Sequence, residues 1–169
     1  MREIKFRAKV GLSPHWYHGS LVQKSYIDED DELRTVSYIV DDLPISKTPE
    51  GRVFKCEVVD SSTVSQYTGL KDKDGHEIYE GDILRGNFYP FTGHKGRDNI
   101  LGVVFCTGAG GFQIKQFPTR WYEHRRNSNF YNTLCDIDLD KMEVIGNLWD
   151  NKEMFLESDE RIMEWYKQH

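Results

Sequence analysis

From Glu3 to Val10 the side chains alternate without a break: Ile4, Phe6, Ala8 and Val10 fall on one side, Glu3, Lys5, Arg7 and Lys9 on the other. Only an extended chain sorts the two sets onto opposite faces, so the sequence opens with a half-buried β-strand. Gly11, Ser13 and Pro14 stop it. The pattern then recurs along the chain. Residues 15–27 begin with His15-Trp16-Tyr17-His18 and continue as a second aromatic-rich stretch, residues 36–40 read as a short strand, and residues 53–59 alternate with Phe54, Cys56 and Val58 on one face. Nine Tyr, nine Phe and four Trp tilt the composition further towards pleated surfaces. The acids at 28–32 repel one another in any compact element and read as a solvated turn, and residues 41–52, with Pro44, Pro49 and Gly51, read as a loop.

The second half carries stronger turn signals. Asp74-Gly75 predicts a two-residue type I′ hairpin turn, which needs positive φ at both central positions. Gly81 predicts a tight bend. Residues 100–106 and 112–117 are apolar runs joined by Gly108-Ala109-Gly110-Gly111, and residues 142–149, apolar on both faces, read as a closing strand. Short strands between glycine-rich turns point to a small barrel or sandwich. Asn151 is placed to cap a short helical turn. Ser158 is placed to cap a last helix, with Ile162, Trp165 and Tyr166 on one stripe. The expected organisation is an N-terminal β subdomain over 1–65, a barrel subdomain over 66–150 with strands at 79–85, 100–106, 112–117 and 142–149, and a helical tail over 151–169. Core positions are expected at Ile83, Val103, Phe105, Phe112, Ile114, Val144 and Leu148.

Several chemistries are excluded by residue type and spacing. Cys56, Cys106 and Cys135 are odd in number, far apart and outside any paired motif, which argues against a disulfide framework or a thiolate metal site; each reads as a small buried apolar residue. If Gly75 is aligned with the obligatory glycine of a calcium loop, Leu70 and Gly81 fall where oxygen ligands are required, so the loop fails. His15 and His18 point to opposite sides of a strand, and His76, His94, His124 and His169 fall in turns, loops or a terminus. The carboxylate pairs Glu77/Glu80 and Asp136/Asp138 sit among polar residues and read as solvated faces rather than as a catalytic pair split by burial. No phosphate-binding glycine motif and no nucleophile elbow is present. The reading is therefore not an enzyme: no catalytic residue, no cofactor and no metal, with any small-molecule ligand left unassigned. No run reaches membrane-span length and the start is charged, so a cytoplasmic protein is expected.

The net charge of −6 is unevenly spread: residues 1–84 carry −5, residues 85–126 carry +5 and residues 127–169 carry −6. Within the basic middle Arg97, Lys115, Arg120, Arg125 and Arg126 alternate with Trp121 and Tyr122. Cations that track phosphates and aromatic faces that stack bases make these residues a candidate sequence-tolerant nucleic-acid surface. The same contrast of charge suits contact between subunits, and an interface or solvated face is the favoured reading given the acidic remainder.

Gln66-Tyr67-Thr68-Gly69-Leu70-Lys71-Asp72-Lys73-Asp74-Gly75-His76-Glu77-Ile78-Tyr79-Glu80-Gly81-Asp82-Ile83-Leu84 resembles the hallmark segment of the YopX family of phage and prophage proteins. The opening Met1-Arg2-Glu3-Ile4-Lys5-Phe6-Arg7-Ala8 and the later Glu143-Val144-Ile145-Gly146-Asn147-Leu148 resemble its first and closing motifs, in the same order. The chain departs after Ala8, where Lys9 stands in place of the family's frequent Trp. Residues 28–50, 86–99 and 118–135 look individual. The resemblance implies a bacterial or phage setting, an SH3-type small barrel in the C-terminal part, and self-assembly into homo-oligomers. It implies no activity and no catalytic residues.

Overall fold

The computed structural model describes residues 3–11, 13–48, 51–86, 100–106, 111–116, 131–133, 139–151 and 154; for 42–48, 51–53, 100, 101, 115, 116 and 131–133 it describes the backbone alone. The described chain is mainly β. Its strands are β1 Phe6–Lys9, β2 Trp16–Ile27, β3 Leu33–Thr48, β4 Gly51–Val59, β5 Ser65–Lys71, β6 Glu77–Tyr79, β7 Asp82–Gly86, β8 Ile100–Cys106, β9 Phe112–Gln116, β10 Tyr131–Thr133 and β11 Met142–Asn147. Short 3-10 turns at Ser61–Thr63 and Leu139–Lys141 precede β5 and β11. Among the described residues no helix is long and apolar enough to cross a membrane. The chain divides into two compact units, Met1–Tyr67 and Thr68–His169.

In the first unit the strands lie in the order β4-β3-β2-β1, every pairing antiparallel, and β1 continues onto the start of β5 through Phe6 opposite Gln66. The alternation at the N-terminus places Ala8 in the core, fully buried with Ile39 and Val59, and Phe6, Val10, Tyr17, Leu21 and Val64 pack around them. The turn after β4 is tied to β1. Lys9 N–H donates to Thr63 Oγ1 at 2.9 Å and Asp60 N–H donates to Lys9 O at 2.8 Å.

The acidic residues 28–32 do form the solvated turn between β2 and β3. The Asp28 carboxylate accepts the N–H groups of Asp30 and Glu32. Arg34 clips both Asp28 and Glu32, at 2.6 and 2.7 Å.

Two expectations for this unit are corrected. Residues 41–52 are strand on both sides of residues 49–50, not loop. Proline lacks the ladder N–H, and the chain absorbs Pro44 at register shifts on either side of it instead of leaving the sheet. Cys56 is exposed rather than buried. Alternation separates the faces of a strand but does not say which one is covered.

In the second unit the end of β5 leads through a turn into β6, and Thr68 Oγ1 donates to the Ile78 carbonyl at 2.8 Å. A five-stranded antiparallel sheet follows in the order β10-β9-β8-β7-β11. Over residues 102–105 strand β8 is buried on both faces. Val104 packs with Ile78, Leu84, Phe112, Ile114 and Met142, while Val103, paired with Ile83, and Phe105 are buried on the other side. Of the expected core positions Ile83, Val103, Phe105, Phe112, Ile114 and Leu148 are buried, and Val144 packs half-buried against the cluster.

The strand expected over 79–85 is two strands, β6 and β7, broken at Gly81. That residue has φ +78°, and a Cβ on it would run into the Trp149 ring. Gly81 N–H donates to the Val104 carbonyl, and Leu148 N–H donates to the Gly81 carbonyl, so the bend is bonded in both directions. The sheet is open: β10 and β11 stand at its two ends and are not paired with each other among the described residues. Beyond β11 the Asn151 carbonyl accepts the N–H of Met154 at 3.1 Å, so a turn does start at this residue. Its side-chain oxygen accepts the N–H of Asn147, four residues back. The helix expected after Ser158 lies outside the described residues.

Gly81→Ala combines left-handed backbone strain with a side-chain clash, each in a segment bonded on both sides. It is expected to lower stability by about 1–3 kcal/mol or more, read as a shift of the chemical denaturation midpoint with unchanged slope.

Candidate functional site

The segment 66–85 concentrates acids, and the structure shows where they go. Asp72 follows directly after β5, and its side chain is fully buried. Oδ1 accepts the N–H groups of Asp74 and His76 at 2.9 and 2.8 Å. Oδ2 accepts the N–H of Val144 on β11 at 3.0 Å and lies 3.3 Å from His76 Nδ1. The turn itself closes through Gly75 N–H to Asp72 O at 3.0 Å and Asp72 N–H to His76 O at 2.9 Å. This corrects the type I′ expectation. Gly75 has φ +84°, but Asp74 is not in the left-handed region. The connection is longer than two residues, with Asp at the first position and Gly at the fourth, the residue preferences of a type I turn. Lys73 N–H also reaches the Met142 carbonyl at 3.0 Å, so the turn is bonded to β11 twice.

Burial by itself would raise the Asp72 pKa. The hydrogen bonds from Val144, His76 and Asp74, with the His76 ring, outweigh it and hold the carboxyl below its ordinary value. Asp72, Asp74 and His76 bring potential metal-ligating atoms within 4.8 Å of one another. A carboxylate offers about four lone-pair sites, and here three backbone N–H groups and the His76 ring already face them. Asp74 Oδ2 is held by Lys73 Nζ at 2.6 Å. The cluster is a structural knot, and the donor set does not fit a cation.

The neighbouring acids follow the same logic. Asp82, buried in β7, accepts the Tyr79 N–H at 2.7 Å; Glu80 accepts the Cys106 N–H at 3.1 Å; Glu77 accepts the Tyr79 hydroxyl at 2.6 Å. Glu77 and Glu80, expected to be a solvated pair, are thus each engaged in the fold. Arg85, from the basic middle, pairs with Glu143 on β11 at 2.9 Å.

Of the residues proposed for nucleic acid, Lys115 lies in β9 opposite Val103 and Tyr131. Arg97, Arg120, Trp121, Tyr122, Arg125 and Arg126 lie outside the described residues, as do Asp136 and Asp138.

What the described residues do present is an uncovered sheet face in the first unit. Val22 on β2, Tyr38 on β3 and Val58 on β4 are directly paired across three strands. Val22 is 48% exposed and Val58 55%, with Tyr26 and Phe54 also exposed on the same faces of β2 and β4. Towards the other end of β2 the Trp16 ring carries Arg7 and Lys9 at 4.6 and 5.4 Å from its centroid. The sequence marks Phe54, Cys56 and Val58 as one face and Cys56 as buried; the structure leaves all three exposed. An apolar, aromatic and cationic surface of this kind suits contact with another protein surface.

The family model described as YopX protein matches residues 5–156. A search of curated proteins finds no match. Among solved structures, the crystal structure of protein EF1440 from Enterococcus faecalis is similar, with 21% identity, a TM-score of 0.48, and coverage of 91% of this chain and 99% of that one.

Because its pKa is depressed on folding, the Asp72 carboxylate contributes stability that is present above the unfolded value of about 3.9. That contribution is lost as the pH falls below this value and through the lower folded one. Asp72→Asn turns one acceptor oxygen into a donor facing backbone N–H groups, at about 1–3 kcal/mol for each buried donor left unmet. The variant is expected to melt lower at pH 7 and to lose less stability than the parent between pH 5 and pH 3, measured by thermal denaturation across that range.

Proposed function

Taking as premise that this chain belongs to the YopX family, we propose that it is a non-enzymatic protein that acts by assembling with copies of itself. The observation that carries this reading is the row Val22–Tyr38–Val58 on a well-paired sheet, with Tyr38 half-buried and Val22, Val58, Tyr26 and Phe54 exposed. Contiguous apolar surface on a soluble domain marks an interaction site more often than an accident of composition. The absence of catalytic work is supported by the carboxylates of the hallmark segment. Asp72, Glu77, Glu80 and Asp82 all hold backbone or side-chain donors of the fold, in arrangements a turning-over acid or base could not keep. We place the protein in the cytoplasm of a bacterial host, in a phage or prophage setting. We read the second unit as a variant of the SH3-type small barrel, a reading supported by its short antiparallel strands and the sharp break at Gly81.

A second reading, sequence-tolerant nucleic-acid binding, rests on the +5 charge of residues 85–126. It predicts salt-dependent retention of single- or double-stranded oligonucleotides, weakened by Arg125→Glu with Arg126→Glu; no retention at low salt removes it.

For the leading reading, light scattering over a concentration series is expected to give a mass that is a multiple of 19.8 kDa. A strict monomer at high concentration overturns it.

A further inference from the structure

Among the described residues strand β4 stands at one end of its sheet, paired on one side with β3. An edge strand offers a row of backbone donors and acceptors to any chain that can lie against it. Natural edges are usually blunted by charge, and β4 does carry a lysine. Lys55, however, is followed two residues later by Glu57 on the same face of the strand, with Cys56 between them. Outwards from Cys56 the strand reads Lys55 and Glu57, then Phe54 and Val58, then Val53 and Val59. This order has a two-fold character: opposite charges at the first step and apolar pairs at the next two.

We propose that β4 is a homotypic docking edge, pairing antiparallel with β4 of a second copy about a two-fold axis through Cys56. The proposal rests on the self-assembly reading above and names its contact. In that register Lys55 of each copy stands across from Glu57 of the other, twice over by symmetry, and Phe54 stands across from Val58. Cross-strand opposite charges stabilise an antiparallel pair, and like charges destabilise it. The lysine that would repel a foreign edge thus selects this one, because its complement lies on the same strand.

The side chains at the centre and at the first two steps are accessible. Phe54 is 42% and Val58 55% exposed, and Cys56 is exposed. Lys55 and Glu57 lie 3.2 Å apart within one copy, their side chains 44% and 33% exposed, so each can also engage a partner's charge. Pairing also carries the open face onwards, since Val58 sits beside Tyr38 and Val22 in the row described above. A two-stranded contact becomes a continuous sheet with a doubled apolar face.

A different register, or face-to-face stacking without edge pairing, would bring Lys55 against some other residue. The charges therefore test the geometry. Lys55→Glu sets two Glu–Glu pairs across the axis and is expected to weaken association by about tenfold or more, while Lys55→Glu with Glu57→Lys restores the complement and the parent's affinity. Sedimentation velocity reads both. Independently, residues directly opposite in an antiparallel pair have Cα atoms about 4.5–5.5 Å apart, within disulfide reach. Diamide, which takes up the two electrons and two protons of the thiols, is expected to give a covalent dimer of the full chain that Cys56→Ser abolishes. This second readout stands even if Lys55→Glu loses its contact with the Tyr17 ring, 4.5 Å away, and folds poorly. An oligomer that is indifferent to the charge swap and gives no Cys56 cross-link overturns edge pairing and leaves self-assembly standing. A parent that is monomeric throughout overturns both.

Discussion

The second unit turns on one buried carboxylate. Asp72 closes the turn after β5 and at the same time takes the N–H of Val144, 72 residues further along the chain. A charged group is kept out of water only where hydrogen bonds replace its hydration. Here three backbone N–H groups and an imidazole do so. The consequence is positional. Once the turn is seated on β11, β11 is in register with β7, and Met142 is carried into the core with Leu84 and Val104.

The same device recurs at short range. Asp82 holds the Tyr79 N–H across the Gly81 bend, and Glu80 reaches the N–H of Cys106 at the end of β8. An acid-rich stretch thereby serves as a set of clips for backbone groups that strand breaks would leave unmet. Among the described residues the outer face and the β4 end of the first unit's sheet are where the fold makes no such demand. Buried charge fixes the architecture of the second unit, and apolar side chains of the first unit's sheet stay exposed.

Much of this was legible beforehand. Strict alternation at residues 3–10 put Ala8 in the core, and the apolar run at 100–106 marked a strand. The acidic turn at 28–32 and the bend at Gly81 followed from like-charge repulsion and from the freedom of glycine. The turn at 72–76 carries its signal in Asp72 and Gly75, the first and fourth positions of a type I turn, but the Asp74-Gly75 dipeptide equally fits a shorter loop. The strand through Pro44 was missed because a proline reads as a stop unless a register shift absorbs it.

The sequence by itself determined the kinds of element, the family and the positions of most core side chains, because these depend on local periodicity and residue chemistry. Only the tertiary structure decided which face of β4 is bare and what the acids of the hallmark segment do. Those outcomes depend on strands brought together from distant parts of the chain. The period of two sorts Phe54, Cys56 and Val58 to one side identically whether that side is packed or open. Likewise, an aspartate near a glycine looks the same whether it faces water or the amide of Val144.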